Sequence, residues 1–470
     1  MMNKLVLSAL AAAALSADST ELQNLKAQMA QMEAMMKTMQ QKIAALENAG
    51  TAKTTLNEEA HEHPADEHQD HSLAHEVHKA ASGIDISLVL DASYVNRSKK
   101  DEELAHLELP GVAHGLFAPH NHNGSSHPTY NAQNGFNLNY GELGLHSSVT
   151  PNVEAEALLH FSENAVDIEE AFFTFCNLPY GLHLKGGKFL SDFGYLNSTH
   201  HHEWSFSDMP LVYEAFLGNH GIDEIGVQLQ WVAPTSNYLM AGFEALQGKN
   251  ESMFGNEALS DPRDTEVTLS GSPSQPSLLI GYVKTAAEFA DTTLSAGVSW
   301  ARGKSRIDHF SDETPYGFSG ESDLYGIDFT LHHRFSGGAF LTWQNEWLHR
   351  DMEGTYFADD GTTLTPSAIR KKQSGYYSQL VYSPDEFWGI GARYDMIDRN
   401  DVTGTDLFSP ENMDQYTAMI EYRDGEFARY RLQYTHSDAF FNEAQQRQNI
   451  DSLIFSVNLL LGSHSDHSHD

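Results

Sequence analysis

Leu182-His-Leu-Lys-Gly-Gly-Lys-Phe189 reads as a short β-strand and begins the most informative stretch of this sequence. A second strand, Ile225-Gly-Val-Gln-Leu-Gln-Trp231, ends that stretch. Between them lies a long loop with the segment Thr199-His200-His201-His202-Glu203-Trp204. The stretch therefore predicts two strands joined by a loop that carries candidate metal ligands.

Strands of the same kind recur from Ile84 onward. Ile84, Ile86, Leu88 and Leu90 alternate with mostly polar residues, which places apolar side chains on one face. The same alternation returns at 153–161, 294–300, 428–434 and 453–461. In a soluble sandwich the apolar face would turn inward, whereas in a membrane barrel it turns to lipid and the polar face lines a channel.

The connections between strands decide between these two folds. About sixteen strands can be counted, joined by short links at 150–152, 177–181, 233–237, 289–291, 336–338, 383–386 and 424–426. Most of the links between them are long and polar, at 97–135, 191–221, 248–276, 305–322, 351–374, 398–412 and 437–449. Short turns on one rim and long loops on the other are typical of outer-membrane barrels. We therefore predict an all-β fold, a transmembrane antiparallel β-barrel over residues 83–462, wide enough for a water-filled lumen.

Aromatic side chains near the predicted strand ends are candidates for the belts that such barrels place at the two membrane interfaces. They are Tyr94, Trp231, Trp300, Trp388, Tyr394 and Tyr434. For any single one of them, ordinary sheet packing is the alternative interpretation.

Composition excludes several classes of protein. The 470 residues carry a formal net charge of −37, which makes nucleic acid a poor partner and attracts cations. An aromatic share of 11% separates the chain from acidic disordered proteins. The single cysteine, Cys176, cannot form an intramolecular disulfide. We find no nucleophile elbow, phosphate-binding glycine loop or HExxH pair, so we do not expect an enzyme.

Residues 1–17 read as a secretory signal peptide, with a short basic region followed by an apolar run. Residues 18–49 follow with a heptad pattern of apolar residues at 22, 25, 29, 32, 36, 39, 43 and 46. This spacing predicts an α-helical coiled coil before the barrel, on its periplasmic side. A lone helix that packs on the barrel or on peptidoglycan is the alternative.

The linker at 50–82 is rich in histidine, and His68, His71, His75 and His78 would share one face of a helix. Imidazole is the commonest ligand of zinc, copper and nickel, so these four residues are candidate ligands. Further histidines occupy the tail at 463–470. A polar tether without specific metal binding is the alternative.

The loop at 191–221, called the constriction loop below, is expected to fold into the pore. Its candidate metal ligands are His200, His201, His202, Glu203 and His220. Its acidic pore-lining candidates are Asp192, Asp208 and Glu214, and the loop has no Lys or Arg. Strand alternation directs four basic residues inward across the lumen: Arg334, Arg393, Arg429 and Arg431. An acidic, imidazole-lined constriction favours cations; a solvated loop tip is the alternative.

Two motifs resemble known families. Gly187-Lys188-Phe189 followed by Phe193-Gly194 is similar to the Gly-x-Phe-x-x-x-Phe-Gly signature of the phosphate-selective porin family. The longer pattern through His200-x-His202-Glu203, Pro210-Leu211 and Phe216-Leu-Gly218 resembles histidine-rich outer-membrane proteins described as zinc-regulated and sometimes labelled TonB-dependent receptors. The resemblance implies a sixteen-stranded trimeric porin with an N-terminal coiled coil.

Two features depart from these families. Phosphate porins use basic residues around this loop, and a TonB-dependent receptor needs a plug domain that does not precede the first strand here. We therefore expect a Gram-negative outer-membrane porin that prefers cations and takes part in zinc or other divalent metal uptake. No cofactor is required, and Zn²⁺ would be a transported or bound ion. Expected partners are outer-membrane lipid, a homotrimer, metal ions and peptidoglycan. A general diffusion porin with histidines as a metal buffer and an envelope tether remain alternatives.

Overall fold

The computed structural model describes residues 84–109, 113–114, 130–162, 166–250, 252–256, 259–260, 268–269, 275–309, 316–359, 364–405, 408–442 and 444–462. The predicted signal peptide (1–17), coiled coil (18–49), linker (50–82) and tail (463–470) lie outside the described residues. Those four assignments, including the metal ligands His68, His71, His75 and His78, stay predictions.

Nineteen strands of the described chain form one sheet, and sixteen of them are the staves of a barrel. The staves are β1 Asp85–Arg97, β2 Gly135–Thr150, β3 Val153–Phe161, β4 Val166–Leu178, β5 Leu182–Leu190, β6 Asp223–Val232, β7 Tyr238–Leu246, β8 Leu278–Phe289, β9 Thr292–His309, β10 Tyr316–Arg334, β11 Phe340–Asp359, β12 Leu364–Ser383, β13 Trp388–Ile397, β14 Met413–Asp424, β15 Ala428–Phe441 and β16 Arg447–Gly462. The three short strands of that sheet are Glu108–Leu109, Ala113–His114 and Asp401–Thr403, and a separate pair joins Leu259–Ser260 to Thr268–Leu269.

The barrel is closed by antiparallel pairing of its first and last staves. Leu90 lies opposite Leu459 and Tyr94 opposite Phe455 along β1 and β16. Each of the other staves pairs with the stave before it and the stave after it, so the sheet has no open edge. The predicted antiparallel barrel of sixteen strands is therefore confirmed.

The two rims of the barrel differ as predicted. Seven turns of two to five residues lie on one rim, and both ends of the barrel lie on the same side. The predicted loops at 305–322 and 351–374 are wrong in extent, because β9 to β12 continue for 18 to 20 residues each. A membrane needs only about 9–11 residues of a tilted strand, so these four strands project beyond it.

The outer face of the barrel is apolar. On β11, Trp343 and Trp347 are 41% and 38% exposed, while Glu346 between them is 2% exposed on the inner face. Such a reversal of the soluble pattern indicates that lipid surrounds the barrel. Of the aromatic candidates, Tyr394 is half-buried and the rest are exposed, namely Tyr94, Trp231, Trp300, Trp388 and Tyr434. Barrels of this type belong to outer membranes.

The described residues contain two short α-helices, α1 Asp101–Leu104 and α2 Leu211–Leu217, and three 3-10 turns, Pro179–Gly181, Leu196–Ser198 and His201–Glu203. No helix in the described ranges is long and apolar enough to span a membrane.

The inner face is not polar throughout. Leu324, Leu348 and Met352 point inward from β10 and β11 and are fully buried in one apolar cluster with Phe193 and Phe216 of the constriction loop. The prediction of a polar inner face is wrong at these positions. The reason is that the apolar side of α2 packs here and needs an apolar surface opposite it.

Candidate functional site

The constriction loop lies inside the barrel, and several of its backbone N–H groups donate hydrogen bonds to side chains of the wall. The first attachment follows β5. Ser191 Oγ donates to Glu244 Oε2 at 2.5 Å, and the Asp192 N–H donates to Glu244 Oε1 at 3.0 Å. Gln228 and Gln230 each donate an Nε2 hydrogen bond to Asp192, at 2.8 and 2.6 Å. Asp192 therefore joins the loop to β6 and β7.

The second attachment is the carboxylate of Glu346 on β11. It accepts hydrogen bonds from the N–H groups of Tyr195 and Leu196, both at 2.9 Å. It also accepts the hydroxyls of Tyr213 on α2 at 2.6 Å and of Tyr377 on β12 at 2.5 Å. One buried carboxylate thus fixes two parts of the loop.

Gly194 of the Phe-Gly motif lies directly at this attachment. Its φ of +65° is in the left-handed region that favours glycine. A Cβ at this position would collide with the Tyr213 hydroxyl and the Glu346 carboxylate. The motif therefore has a structural reason, which is close approach of the loop backbone to the wall.

The third attachment uses three of the predicted inward-facing arginines. Arg393 on β13 pairs with Asp208 of the loop at 2.8 Å and with Asp395 at 2.8 Å. Arg431 on β15 donates to the Trp204 carbonyl at 2.9 Å. Arg429 donates to the carbonyl of His202. These arginines face the lumen and hold the loop.

Arg431 and Arg429 are also balanced by a carboxylate of the wall. Arg431 pairs with Glu421 at 2.7 Å, and both side chains are 2% exposed. Arg429 lies 3.7 Å from the same carboxylate. Positive charge on this side of the lumen is therefore partly neutralised by the wall itself.

The three consecutive histidines face two different directions. His201 stacks on Tyr130, with ring centroids 3.8 Å apart, and its Nδ1 lies 3.4 Å from Asp91. His200 and His202 stack parallel to each other at 5.8 Å on the other side. His200 Nε2 lies 3.2 Å from Glu170 of β4, and burial would lower the pKa of this imidazole, but the Glu170 hydrogen bond and nearby carboxylates raise it well above its ordinary value.

The wall opposite His202 carries acidic and imidazole groups that the sequence analysis missed. His160 on β3 contacts Glu142 of β2 at 3.0 Å and also contacts Glu169 of β4. His202 Nδ1 lies 3.8 Å from Glu142 Oε2. Glu142, His160 and Glu169 each offer one potential metal-ligand atom, and these three atoms lie within 4.8 Å of one another.

Two β-bulges produce this arrangement. In the β3–β4 pair, Leu158 lies opposite Glu170 but Leu159 lies opposite Ile168, so Glu169 is the extra residue. In the β1–β2 pair, Asp91 lies opposite Tyr140 and Ala92 opposite Leu138. A bulge lets two successive side chains reach the same side of a sheet. Glu169 and Glu170 accordingly both face the lumen.

The remaining candidates have varied surroundings. Glu203 is exposed, and the His220 ring lies 6.0 Å from that of Tyr130. Arg334 is exposed where β10 ends at the short-turn rim. Glu214 on α2 lies near Asp208 and Arg393. Burial first and the Asp208 charge second raise the pKa of Glu214 to about 8.

Two small cavities lie beside the loop. A cavity of about 70 Å³ is lined by Arg97, Asn131, Asp208, Glu214 and Thr435, among others. A second cavity, of about 20 Å³, is lined by His200, His201, His220, Glu169 and Asp223, among others. Volumes of this size match a few water molecules or a partly hydrated ion, rather than a sugar.

No protein-family model matches the chain. An uncharacterised protein of Aquifex aeolicus (strain VF5) is 41% identical over 386 residues, which cover 82% of this chain and 79% of that protein. This chain belongs to the same family. No activity is described for that relative, so membership of the family assigns no substrate to this chain.

Several solved barrels are similar in fold. Vibrio cholerae OmpT, folded in vitro, is 9% identical with a TM-score of 0.46, covering 80% of this chain and 97% of its own. The outer membrane channel DcaP of Acinetobacter baumannii is 11% identical with a TM-score of 0.47, covering 81% and 96%. Pseudomonas putida OprB in its high-pH structure is 8% identical with a TM-score of 0.48, covering 83% and 96%. Such distant likeness says nothing about the solute of this chain.

Proposed function

We propose that this chain is an outer-membrane porin that passes small hydrophilic solutes and prefers cations, including divalent metal ions such as Zn²⁺. The observation that carries the proposal is the closed barrel with an apolar outer face and a lumen crossed by an acidic, histidine-bearing loop. Closure leaves the lumen as the one route through the barrel that avoids lipid.

The charges around the loop support cation preference. The loop has acidic residues at 192, 203, 208 and 214 and no basic ones. The wall adds Glu142, Glu170 and Glu244, all buried near the loop. The inward arginines Arg393 and Arg431 are already paired with carboxylates. The number of carboxylates in and around the loop is the basis for the proposed cation preference.

The small volumes of the cavities beside the loop support small ions over larger solutes. The apolar cluster around α2 fills part of the lumen, and the cavities beside the loop are of water size. We therefore propose ions as solutes in preference to sugars or nucleosides. Phosphate should pass less readily than cations, because the loop lacks basic residues.

Assembly is part of the same proposal. The resemblance to trimeric porins suggests a homotrimer in outer-membrane lipid, with a peptidoglycan contact through residues 18–49. Light scattering of the detergent-solubilised protein would test the trimer, and a pull-down on isolated peptidoglycan with and without residues 18–49 would test the contact.

Flux through proteoliposomes tests the transport proposal. Vesicles that contain a zinc-sensitive dye should respond to external Zn²⁺ within seconds when the protein is present, and entrapped phosphate should leave more slowly. Protein-free vesicles give the background. Equal leakage of zinc, phosphate and a disaccharide would contradict cation preference, and no flux of any solute would contradict the porin itself.

A further inference from the structure

We infer that Glu142, His160 and Glu169 form a resident site for a divalent cation of the zinc class, with His202 of the constriction loop as the fourth ligand. The site would tie the loop to the wall. Its effect on ion flow rests on the proposed function, but binding of the metal does not.

The donor set fits zinc chemistry. Imidazole nitrogen and carboxylate oxygen are both ligands that zinc takes in proteins. Tetrahedral ligands at about 2.0–2.1 Å from the metal lie about 3.3 Å from each other. The present contact of His160 with Glu142 is 3.0 Å, and the three ligand atoms already lie within 4.8 Å of one another. Small rotations of two glutamate side chains would complete this geometry.

The groups are held in a buried and rigid setting. The side chains of Glu142, His160 and Glu169 are 1%, 5% and 10% exposed. They come from three adjacent staves, β2, β3 and β4. The Tyr140 ring stacks on His160 with centroids 4.4 Å apart and an interplanar angle of 16°. Ligands whose side chains are already held in place by their surroundings favour metal binding.

A second, independent observation points to a missing ligand. In the part of the chain that the structure describes, Glu142 Oε1 is buried and has no hydrogen-bond partner. Leaving a buried carboxylate oxygen without a partner is costly. The two glutamates bring two negative charges to a single imidazole, so a divalent cation would neutralise the group and occupy the open position of Glu142.

The loop supplies the remaining position. His202 Nδ1 is 3.8 Å from Glu142 Oε2, close enough to enter the coordination sphere after a change of rotamer. The His202 backbone is already fixed by Arg429. The neighbouring His200 instead faces Glu170, with His200 Nε2 3.2 Å from Glu170 Oε2. Metal binding would therefore fix the position of this side of the loop.

Zinc titration of the full-length protein against a chromophoric chelator tests the site. The variants are His160→Asn and Glu169→Gln, and Glu154→Gln is the matched control, since Glu154 lies on the same strand but is exposed. We expect each variant to lose one tight equivalent of Zn²⁺, with affinity there reduced at least about 10–100-fold. The control should bind as many equivalents of Zn²⁺ as the wild type. Histidines elsewhere in the chain contribute the same zinc binding to the wild type, the variants and the control.

An unchanged number and affinity of zinc equivalents in both folded variants would overturn the inference. If the variants do not fold, anomalous diffraction from zinc-soaked wild-type crystals replaces them. A peak at about 2.0–2.2 Å from ligand atoms of these residues supports the site, and peaks confined to other histidines overturn it. Conductance measured in EDTA tests the proposed porin function without bound zinc. Zinc binding without conductance would therefore contradict the porin function but not the zinc site.

Discussion

Glu346 accepts four hydrogen bonds, three of them from the constriction loop. We predict that Glu346→Ala lowers the free energy of unfolding by about 2–4 kcal/mol, because it leaves several buried donors without an acceptor. The loop should also loosen, so conductance should rise. Thermal melting and single-channel recording measure the two effects. Glu353→Ala on the same strand is exposed and serves as the control; equal effects of both would contradict the role of Glu346.

Gly194 gives a second prediction at this scale. Gly194→Ala should destabilise the barrel by at least about 1–2 kcal/mol, since a left-handed conformation is unfavourable for alanine and the added Cβ collides with Tyr213 and Glu346. Denaturant unfolding measures the change. Gly337→Ala is the control, because Gly337 also has a positive φ but an added Cβ there meets no atom within 4 Å. The difference between the two variants therefore measures the effect of the collision.

Glu214 predicts a dependence of stability on pH. Its pKa is raised in the folded state from 4.5 to about 8, so its stabilising contribution is fully present below pH 4.5 and is lost as pH rises through about 8. Melting temperature should therefore fall between about pH 5 and about pH 8, and Glu214→Gln should flatten part of that fall. Glu203→Gln, an exposed change in the same loop, is the control. A slope that persists unchanged in Glu214→Gln would contradict this account.

At the scale of elements, the bulges in β2 and β4 explain why the sequence could not reveal the acidic wall. Strict alternation directs His160 inward, because Leu159 and Phe161 belong to the apolar face, and this signal was present in the sequence. Strict alternation cannot direct both Glu169 and Glu170 inward. Only the extra residue in the ladder does so. The loop histidines were found from sequence, whereas most of their partners were not.

Loss of an ion pair on the projecting part of β9 to β12 should have only a small effect on stability. Arg302, Lys304 and Glu321 form ion pairs on its exposed outer face. Such pairs contribute at most about 1 kcal/mol in water. Glu321→Gln should therefore change the free energy of unfolding by less than that, as measured by denaturant titration in detergent. A loss of several kcal/mol would mean that this face is covered rather than exposed to water.

At the scale of the whole molecule, sequence periodicity and link lengths were sufficient to predict sixteen antiparallel staves and their closure. The filling of the lumen was not predictable in the same way. Leu324, Leu348 and Met352 break the polar inner face, but a short apolar interruption does not say which loop it meets. That contact depends on the path of residues 191–221 in three dimensions, which no local pattern encodes.

The reversal potential of the purified protein in a planar bilayer under a salt gradient measures whether the constriction loop selects cations. We expect a small conductance and a reversal potential with the sign of cation selectivity. For Glu346→Ala, in which the loop is loosened, we expect a larger and less selective conductance. Anion selectivity of the wild type, or a wide and unselective conductance that Glu346→Ala leaves unchanged, would contradict the claim that the acidic, histidine-bearing loop controls passage.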